Sequence, residues 1–529
     1  MKLNKFYLII IFLIGFLLRF IFINQYPPSL NWDEVSHGYN AYSILKTGKD
    51  EWGVSFPTIF RAYGDYKLPL YIYLTVPFVA LLGLNTISVR FISILSGSLL
   101  TLVIYLIIKK VFPKNKLLPL IGASIIALSP VTIFLSRIAL EANLFLFLFC
   151  LSFYYLIDKK YCFSSFIFSL GLLTYNSSRV LLPFYLLLLI YFIVKNKYKI
   201  LPNLLKFTPF IVTICLVTFQ MLDQSGQARY QWVSLLDQGS INRINELRQV
   251  YPRILINKAT YFSFYAFKNY ISFFNPQYLF FNGGSNYQFS IPNFYLLSPF
   301  LLPLLLLGLF RLIKGIKTNR NYLILLFWLI ISPLPSAITR DAPHILRGIT
   351  FIPIIIILIT LGFSNFKKNT TRLLSVYLFI VLIFSQFLFW NKYKNYSQQY
   401  SQSWQYAYEQ SITYIKENYS KYDQIIFTKK FGEPHEFILF YYPINPTSYQ
   451  IDPNKNWNYH ATWYWVDAFD KFIFVNDWEI KDFTFNIDEN KKTLLISSYN
   501  NYNQHNTNLI KTINFLDQTP AFQILEIKP

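Results

Sequence analysis

The chain has 529 residues, of which 54% are hydrophobic and only 14% charged, with 53 Phe, 41 Tyr and a net charge of +22. This composition excludes an ordinary soluble domain and predicts a membrane protein with many spans. Basic residues set the orientation of such proteins, so the positive charge does not indicate a nucleic-acid partner. All three cysteines, Cys150, Cys162 and Cys215, lie in apolar runs, and no disulfide framework is predicted.

Apolar runs of bilayer length recur as far as residue 391. A helix needs roughly 20 apolar residues to cross the hydrocarbon core. Runs of that order predict about eleven spanning helices, near residues 6–25, 87–108, 117–135, 140–157, 162–175, 180–194, 203–222, 293–312, 321–338, 344–363 and 373–391. The first run keeps Arg19 and has no small-residue cleavage site, so we expect a retained helix and not a removed signal peptide.

The connections between these helices alternate in charge. Lysine and arginine concentrate near residues 2–5, 109–116, 159–160, 195–199, 311–320 and 367–372. The positive-inside rule assigns these segments to the cytoplasm. The other connections and everything after residue 391 then lie outside, in a multi-pass protein of the cell membrane.

The first outer loop, residues 26–86, contains two predicted elements. A short interfacial helix follows Asp33 and ends at Gly48, since apolar residues recur at helical spacing from Val35 to Leu45. The apolar stretch from Leu68 to Leu84 is interrupted by two prolines, and its crossing would reverse every later connection. We therefore expect it to lie on the outer surface or to re-enter the membrane.

Acidic and basic side chains are mixed on the predicted outer side, whereas the cytoplasmic connections are almost purely basic, with Asp158 as a lone acid. The outer side chains include Asp33, Glu34, His37, Asp65, Lys67, Arg137, Glu141, Arg179, Asp341, His344 and Arg347. Catalysis is therefore expected outside the cytoplasm.

Two further outer segments have recognisable patterns. The second large loop, residues 223–292, predicts a short helix from Ile241 to Val250 and a Gly283-Gly284 turn. Residues 392–529 predict a small α/β domain with a helix at 406–419 and strands at 424–428, 437–441, 472–475 and 494–496. Residues 432–436 read Gly-Glu-Pro-His-Glu, which lacks the spacing of a helical zinc motif, and we assign them to a turn.

An ordered set of short motifs resembles the C-type (GT-C) glycosyltransferases of family 39, which include protein O-mannosyltransferases and bacterial aminoarabinose transferases. The motifs are Trp-Asp-Glu at 32–34, Lys-x-Pro-Leu-Tyr at 67–71, Ser-Arg-x-Ala-x-Glu at 136–141, Asn-Gly-Gly-Ser-Asn at 282–286, Pro-Ser-Ala at 335–337 and Asp-Ala-Pro-His-Ile-Leu-Arg at 341–347. The resemblance implies a mainly α, polytopic GT-C domain over residues 1–391, followed by the extracytoplasmic α/β domain.

The resemblance also implies an activity. We expect an inverting hexosyl- or pentosyltransferase that moves a sugar from a polyprenyl-phosphate donor to a hydroxyl group of a protein, lipid or cell-envelope glycan. It requires no cofactor, although two adjacent carboxylates could hold a divalent cation. One alternative is a polymer ligase or oligosaccharide transferase of the same architecture. The other is a non-enzymatic transporter of lipid-linked saccharides, which should show charges in mid-helix and related halves; the sequence shows neither.

The family's catalytic carboxylate lies in the first loop, which makes Asp33 the expected general base. The alternative is that Asp33 only caps the helix after it. Glu34 could orient or replace Asp33, hold a metal ion, or lie solvated in the first helical turn. Asp65 is expected to support this group.

Five cations are candidates for the donor phosphate: Lys67, Arg137, Arg179, His344 and Arg347. The alternative for Lys67 is an interfacial lysine whose amine reaches water. Arg137 and Glu141, four residues apart, should share a helical face, as a structural ion pair or as a braced phosphate ligand. His344 could instead be a satisfied interfacial histidine, and Arg179 has the weakest case.

Overall fold

The computed structural model describes residues 2–64, 66–223, 227, 230, 232–317, 320–364, 366–460, 463–485, 488, 490–502 and 507–527. Within them the α-helices are α1 Lys2–Phe20, α2 Trp32–Thr47, α3 Pro69–Leu82, α4 Thr86–Val111, α5 Leu118–Leu128, α6 Pro130–Ser136, α7 Glu141–Ile157, α8 Tyr161–Leu172, α9 Ser177–Lys195, α10 Leu204–Leu222, α11 Gln238–Leu247, α12 Lys258–Ser272, α13 Leu302–Gly315, α14 Arg320–Ile331, α15 Leu334–Ala337, α16 Phe351–Leu361, α17 Lys368–Gln399, α18 Ala407–Asn418, α19 Pro434–Tyr441, α20 Pro446–Gln450 and α21 Asp477–Lys481. The strands are β1 Phe60–Arg61, β2 Tyr66–Lys67, β3 Gln424–Thr428, β4 Asn456–His460, β5 Trp463–Phe469, β6 Phe472–Val475, β7 Thr493–Ser498, β8 Thr507–Asn514 and β9 Pro520–Ile527.

The chain forms two compact units. Unit 1 comprises Met1–Ile21 and Ser93–Lys392, and unit 2 comprises Phe22–Ile92 and Tyr393–Pro529. The first predicted outer loop therefore folds with the C-terminal part of the chain, and α4 begins in unit 2 and continues in unit 1.

Unit 1 is helical. Four helices of the described chain are long and apolar enough to cross a membrane: α4, α9, Leu201–Leu222 and Asn369–Gln399. A fifth span results if α5 and α6, which are bent by 55°, count as one. The prediction of a mainly helical, multi-pass membrane protein is confirmed. The number of eleven spans is not confirmed, because five further apolar helices are only 10–17 residues long.

Unit 2 contains a seven-stranded mixed sheet in the order β4-β5-β6-β3-β7-β9-β8. Its central strand β3 pairs in parallel with β6 and β7, and every residue of β3 is buried, as expected for a strand covered on both faces. Tyr408 of α18 stacks on Phe437 of α19 with 4.2 Å between ring centroids and lies 5.5 Å from Phe427 of β3. The α/β character predicted for this region is confirmed.

One predicted strand of unit 2 is wrong. Residues 437–441 belong to the helix α19, and the turn predicted at 432–436 is wrong for residues 434–436, which form the first turn of that helix; only Gly432, where φ is +126°, and Glu433 precede it. Pro434 occupies the first turn of α19, a position where its missing N–H costs nothing. The run Phe437 to Tyr441 is apolar throughout, and such a short run fits a buried helix as well as a strand.

The first loop of unit 2 has the predicted helix. α2 ends at Gly48, which adopts the left-handed conformation with φ +69°. A short hairpin leads into α3; its strands β1 and β2 have two residues each, and Phe60 pairs with Lys67. α3 has 14 residues, which corresponds to about 21 Å and is shorter than the roughly 30 Å apolar core of a bilayer. Its location relative to the membrane stays a prediction.

Candidate functional site

Asp33 lies in the first turn of α2 and is partly open to solvent. Its side chain is 44% exposed, and its Oδ1 lies 2.9 Å from Nζ of Lys67. The helix cap is a different residue, because Asn31 Oδ1 accepts the hydrogen bond from the Glu34 amide at 3.0 Å. The alternative in which Asp33 only caps α2 is therefore wrong.

Glu34 points in the opposite direction and is completely buried. Its Oε1 accepts from Nε of Arg90 at 2.8 Å, and its Oε2 accepts from Nη2 of Arg90 at 2.9 Å. Oε2 also accepts from the Asn31 amide at 3.2 Å, which completes a capping box. Glu34 is therefore neither solvated nor available as a metal ligand, and the two-carboxylate metal site with Asp33 is not formed.

Arg90 is the residue that the sequence analysis missed. It is fully buried in α4, and it also donates to the carbonyl groups of Ile23 at 2.8 Å and Ser29 at 2.6 Å. The guanidinium thus connects α4 to the segment before α2 and to Glu34. The sequence feature that could have identified Arg90 is a single charge inside an apolar run, where an ionisable group needs a partner or a function.

Lys67 is held against Asp33 by the β1–β2 hairpin. The residue is 7% exposed, and Nζ also donates to the Asp33 carbonyl at 3.2 Å. Nζ lies 5.5 Å from the ring centroid of Tyr63, whose hydroxyl donates to the Trp32 carbonyl at 2.6 Å. Lys67 is therefore directed at the carboxylate and not at bulk water. Asp65, the predicted supporting residue, lies outside the described residues.

Arg137 of unit 1 acts at the end of a helix. The residue is fully buried. Its Nη1 donates to the carbonyl groups of Leu18 and Arg19 at 3.1 and 3.0 Å, in the last turn of α1, where carbonyl groups have no partner within the helix. It also donates to the carbonyl group of Ile21, just after α1, at 2.7 Å. Its guanidinium carbon lies 5.1 Å from the ring of Trp390. Arg137 ends α6 whereas Glu141 begins α7, so the predicted shared helical face is wrong.

Arg179 and Arg347 line one cavity of unit 1. The cavity has about 180 Å³ and is also lined by Tyr175, Asn176 and Thr339. Arg347 Nη1 donates to Thr339 Oγ1 at 3.0 Å and to the Arg340 carbonyl at 2.5 Å, and Arg179 Nη2 donates to Gln220 Oε1 at 2.9 Å. Two guanidinium groups predicted for the phosphate are thus brought to the same cavity.

A second cavity of unit 1, of about 260 Å³, brings together two of the sequence motifs. Its lining combines Gly284, Ser285 and Asn286 with Asp341, His344 and Arg347. The Pro-Ser-Ala motif supports it, because Ser336 Oγ accepts from the His344 amide at 3.0 Å. Arg347 borders both cavities, which makes it the central cation of this region.

No protein-family model matches the sequence, and no curated protein matches it by sequence. Solved structures do match the fold. ArnT from Cupriavidus metallidurans in the apo state has a TM-score of 0.55 at 10% identity, with 99% of this chain and 98% of that chain covered. The same protein bound to undecaprenyl phosphate gives 0.52 at 10% identity, with 98% and 97% covered.

The archaeal oligosaccharyltransferase AglB from Archaeoglobus fulgidus, in complex with an inhibitory peptide and a dolichol-phosphate, has a TM-score of 0.47 at 13% identity, with 78% of this chain covered. This chain spans 58% of its length. ArnT is a GT-C glycosyltransferase, and its TM-scores of 0.52 and 0.55 confirm the resemblance predicted from the motifs for the fold. Identities this low establish the fold alone.

Proposed function

We propose that the chain is a glycosyltransferase that moves a sugar from a polyprenyl-phosphate donor to a hydroxyl acceptor. The observation that carries the proposal is the Asp33–Lys67 pair, in which a half-exposed carboxylate is held in place by a buried lysine. A structure of ArnT, which has the same fold over nearly its whole length, holds undecaprenyl phosphate, and this supports a lipid-phosphate donor.

Asp33 acts as the general base in this proposal. The acceptor oxygen forms a bond to the anomeric carbon, its proton passes to Asp33, and the bond between that carbon and the phosphate oxygen breaks. The electron pair leaves with the polyprenyl phosphate. Attack opposite the phosphate inverts the anomeric centre. Lys67 orients the carboxylate, and a positioned base contributes about 10²–10⁴ in rate.

Glu34 has a different role from its neighbour. Both of its oxygens are engaged by Arg90, so we assign it to positioning. The buried pair fixes the start of α2, and with it the direction in which Asp33 points. The chemistry is thus assigned to one of the two adjacent carboxylates and the anchoring to the other.

The donor phosphate is assigned to Arg347, with Arg179 and His344 in support. A guanidinium matches phosphate through two parallel N–H groups, and a phosphate leaving group gains from preorganised cations. Arg137 is assigned to the end of α1, because its Nη1 donates to three backbone carbonyl groups there. The orientation that follows from the charge alternation, with Asp33 and the C-terminal domain outside the cell membrane, is part of the proposal.

A transfer assay tests the proposal. The purified chain in detergent is given a panel of polyprenyl-phosphate hexoses and pentoses together with cell-envelope extracts, and release of free polyprenyl phosphate is measured. We expect release with one donor, dependent on an acceptor and absent in Asp33→Asn. The proposal fails if the wild-type chain releases lipid phosphate from none of the donors, or if Asp33→Asn releases it at the wild-type rate.

A further inference from the structure

Three side chains that can ligate metals meet in unit 2 apart from the Asp33–Lys67 pair. Glu51 comes from the turn after α2, and His435 and Glu436 come from the first turn of α19. One ligand atom from each lies within 4.8 Å of the others. The exposed fractions of the three residues are 1%, 2% and 1%, so this group of side chains is shielded from solvent.

Two carboxylate oxygens of these three side chains accept no hydrogen bond in the described part of the chain. Asn40 Nδ2 donates to Oε1 of Glu51 at 2.9 Å, but Oε2 of Glu51 has no hydrogen-bond partner within the described part of the chain. The same holds for Oε2 of Glu436. Buried polar atoms are almost always hydrogen-bonded, since a missing partner costs free energy. These oxygens therefore point to a ligand that supplies positive charge.

Glu433 lies beside the imidazole of His435, whose Nδ1 forms no hydrogen bond in the described part of the chain. Oε2 of Glu433 lies 3.4 Å from Nδ1 of His435, and Oε1 of Glu433 accepts a hydrogen bond from Nε1 of Trp463. The other ring nitrogen, Nε2, lies 3.9 Å from Oε1 of Glu436. A carboxylate on one nitrogen of a histidine, with the second nitrogen facing further ligands, is the arrangement that surrounds protein-bound metal ions.

The charge balance of the group also calls for a cation. Glu51, Glu433 and Glu436 bring three carboxyl groups into one buried region. The cations around it are Lys67, which acts on Glu436, and Lys455, whose Nζ donates to the Glu51 carbonyl at 3.2 Å. Burial raises the pKa of the Glu51 carboxyl and raises that of Glu436 well above its usual range.

We propose that Glu51, His435 and Glu436 bind one divalent transition-metal ion of the Zn²⁺ or Mn²⁺ class. One imidazole and two carboxylates suit these ions, whereas Mg²⁺ and Ca²⁺ prefer oxygen ligands alone. In a tetrahedral zinc site the ligand atoms lie about 3.3–3.6 Å apart, so the side chains close by about 1 Å on binding. The three protein ligands leave a position for water.

The ion fastens the turn after α2 to α19. Both elements belong to unit 2 and come from distant parts of the sequence, so the ion acts as a cross-link between them. Neither Asp33 nor Glu34 is among its ligands. Metal binding can therefore be tested without an activity assay.

The test is metal binding by the full-length chain in detergent after removal of metals with a chelator. Zn²⁺ is titrated by calorimetry, with Mn²⁺ in a parallel arm. We expect one ion per chain and a higher melting temperature with the ion. Glu51→Gln and His435→Gln should weaken binding more than 100-fold, and Glu433→Gln by about 10–100-fold because only the carboxylate beside His435 is lost. Asp488→Asn is the matched control, since it removes one carboxylate elsewhere in unit 2, and it should bind like the wild type.

The proposal is overturned if the wild-type chain binds neither ion, or if the ligand variants bind as the wild type does. A ligand variant can fail to fold, so the wild type loaded with Co²⁺ provides a second measurement. We expect the intense visible absorption of a four- or five-coordinate site. The weak absorption of six-coordinate, hydrated Co²⁺ would also overturn the proposal.

Discussion

Replacement of Glu34 by Gln tests how the buried pair supports α2. In the wild type both carboxylate oxygens accept from Arg90, at 2.8 and 2.9 Å, and both side chains are fully buried. The amide keeps the shape but loses the charge, and its NH₂ group faces a guanidinium N–H. Breaking a buried pair from one side costs about 3–5 kcal/mol because the other charge is left uncompensated. For a unit of this size that corresponds to a loss of about 6–20 °C in melting temperature.

Thermal unfolding of the purified chain in detergent, followed by intrinsic tryptophan fluorescence, measures the effect. Asp33→Asn is the matched control, because it makes the same chemical change at the adjacent residue on a side chain that is 44% exposed. Because this carboxylate is partly exposed and its amide can still accept from Lys67, the melting temperature of Asp33→Asn should fall less than that of Glu34→Gln. A double variant Glu34→Gln/Arg90→Met should recover part of the loss, since no buried charge is left unpaired. The assignment is refuted if Glu34→Gln melts with the wild type or if Asp33→Asn is the less stable of the two.

Further predictions concern two arginines, the cap of α2 and the orientation of the chain in the membrane. Arg347→Ala should lower kcat/KM for the lipid-phosphate donor by about 30- to 900-fold, the equivalent of 2–4 kcal/mol, and Arg347→Lys should recover only part because an ammonium lacks the guanidinium fork. Unchanged donor kinetics in Arg347→Ala would remove Arg347 from the phosphate site. Arg137→Ala should instead lower the melting temperature and leave donor use per folded molecule intact. Asn31→Ala should cost about 1 kcal/mol of stability through loss of the cap, and a melting temperature equal to that of the wild type would contradict the capping role. A reporter that fluoresces only in the cytoplasm, fused after the last residue, should stay dark, and fluorescence would reverse the predicted orientation.

Local patterns in the sequence predicted a large part of the molecule correctly. Helical spacing and Gly48 located α2 and its end, and the apolar runs located the helices of unit 1. The motifs at 282–286 and 341–347 contributed to the family resemblance, and the structure shows that residues of both line the same cavity. These successes concern short segments whose own composition decides their structure.

Two of the failures involve partners that are distant in sequence, and one arises from an ambiguous local pattern. Glu34 and Asp33 are adjacent and chemically alike, and only the position of Arg90 shows that one is an anchor and the other is accessible. Residues 437–441 are all apolar, so the spacing of apolar residues does not distinguish a helix from a strand there. Glu51 is far from His435 and Glu436 along the chain, so no spacing rule could have grouped them.

In the proposed mechanism Asp33 takes the proton from the acceptor. The most direct measurement compares turnover of purified Asp33→Asn with that of the wild type, at saturating donor, alongside donor binding and melting temperature. The amide keeps the size of the side chain and can still accept from Lys67, so binding and stability should change little, while turnover should fall by about 10²–10⁴. Wild-type turnover in Asp33→Asn together with an inactive but stably folded Glu34→Gln would contradict the claim, because the base would then be Glu34.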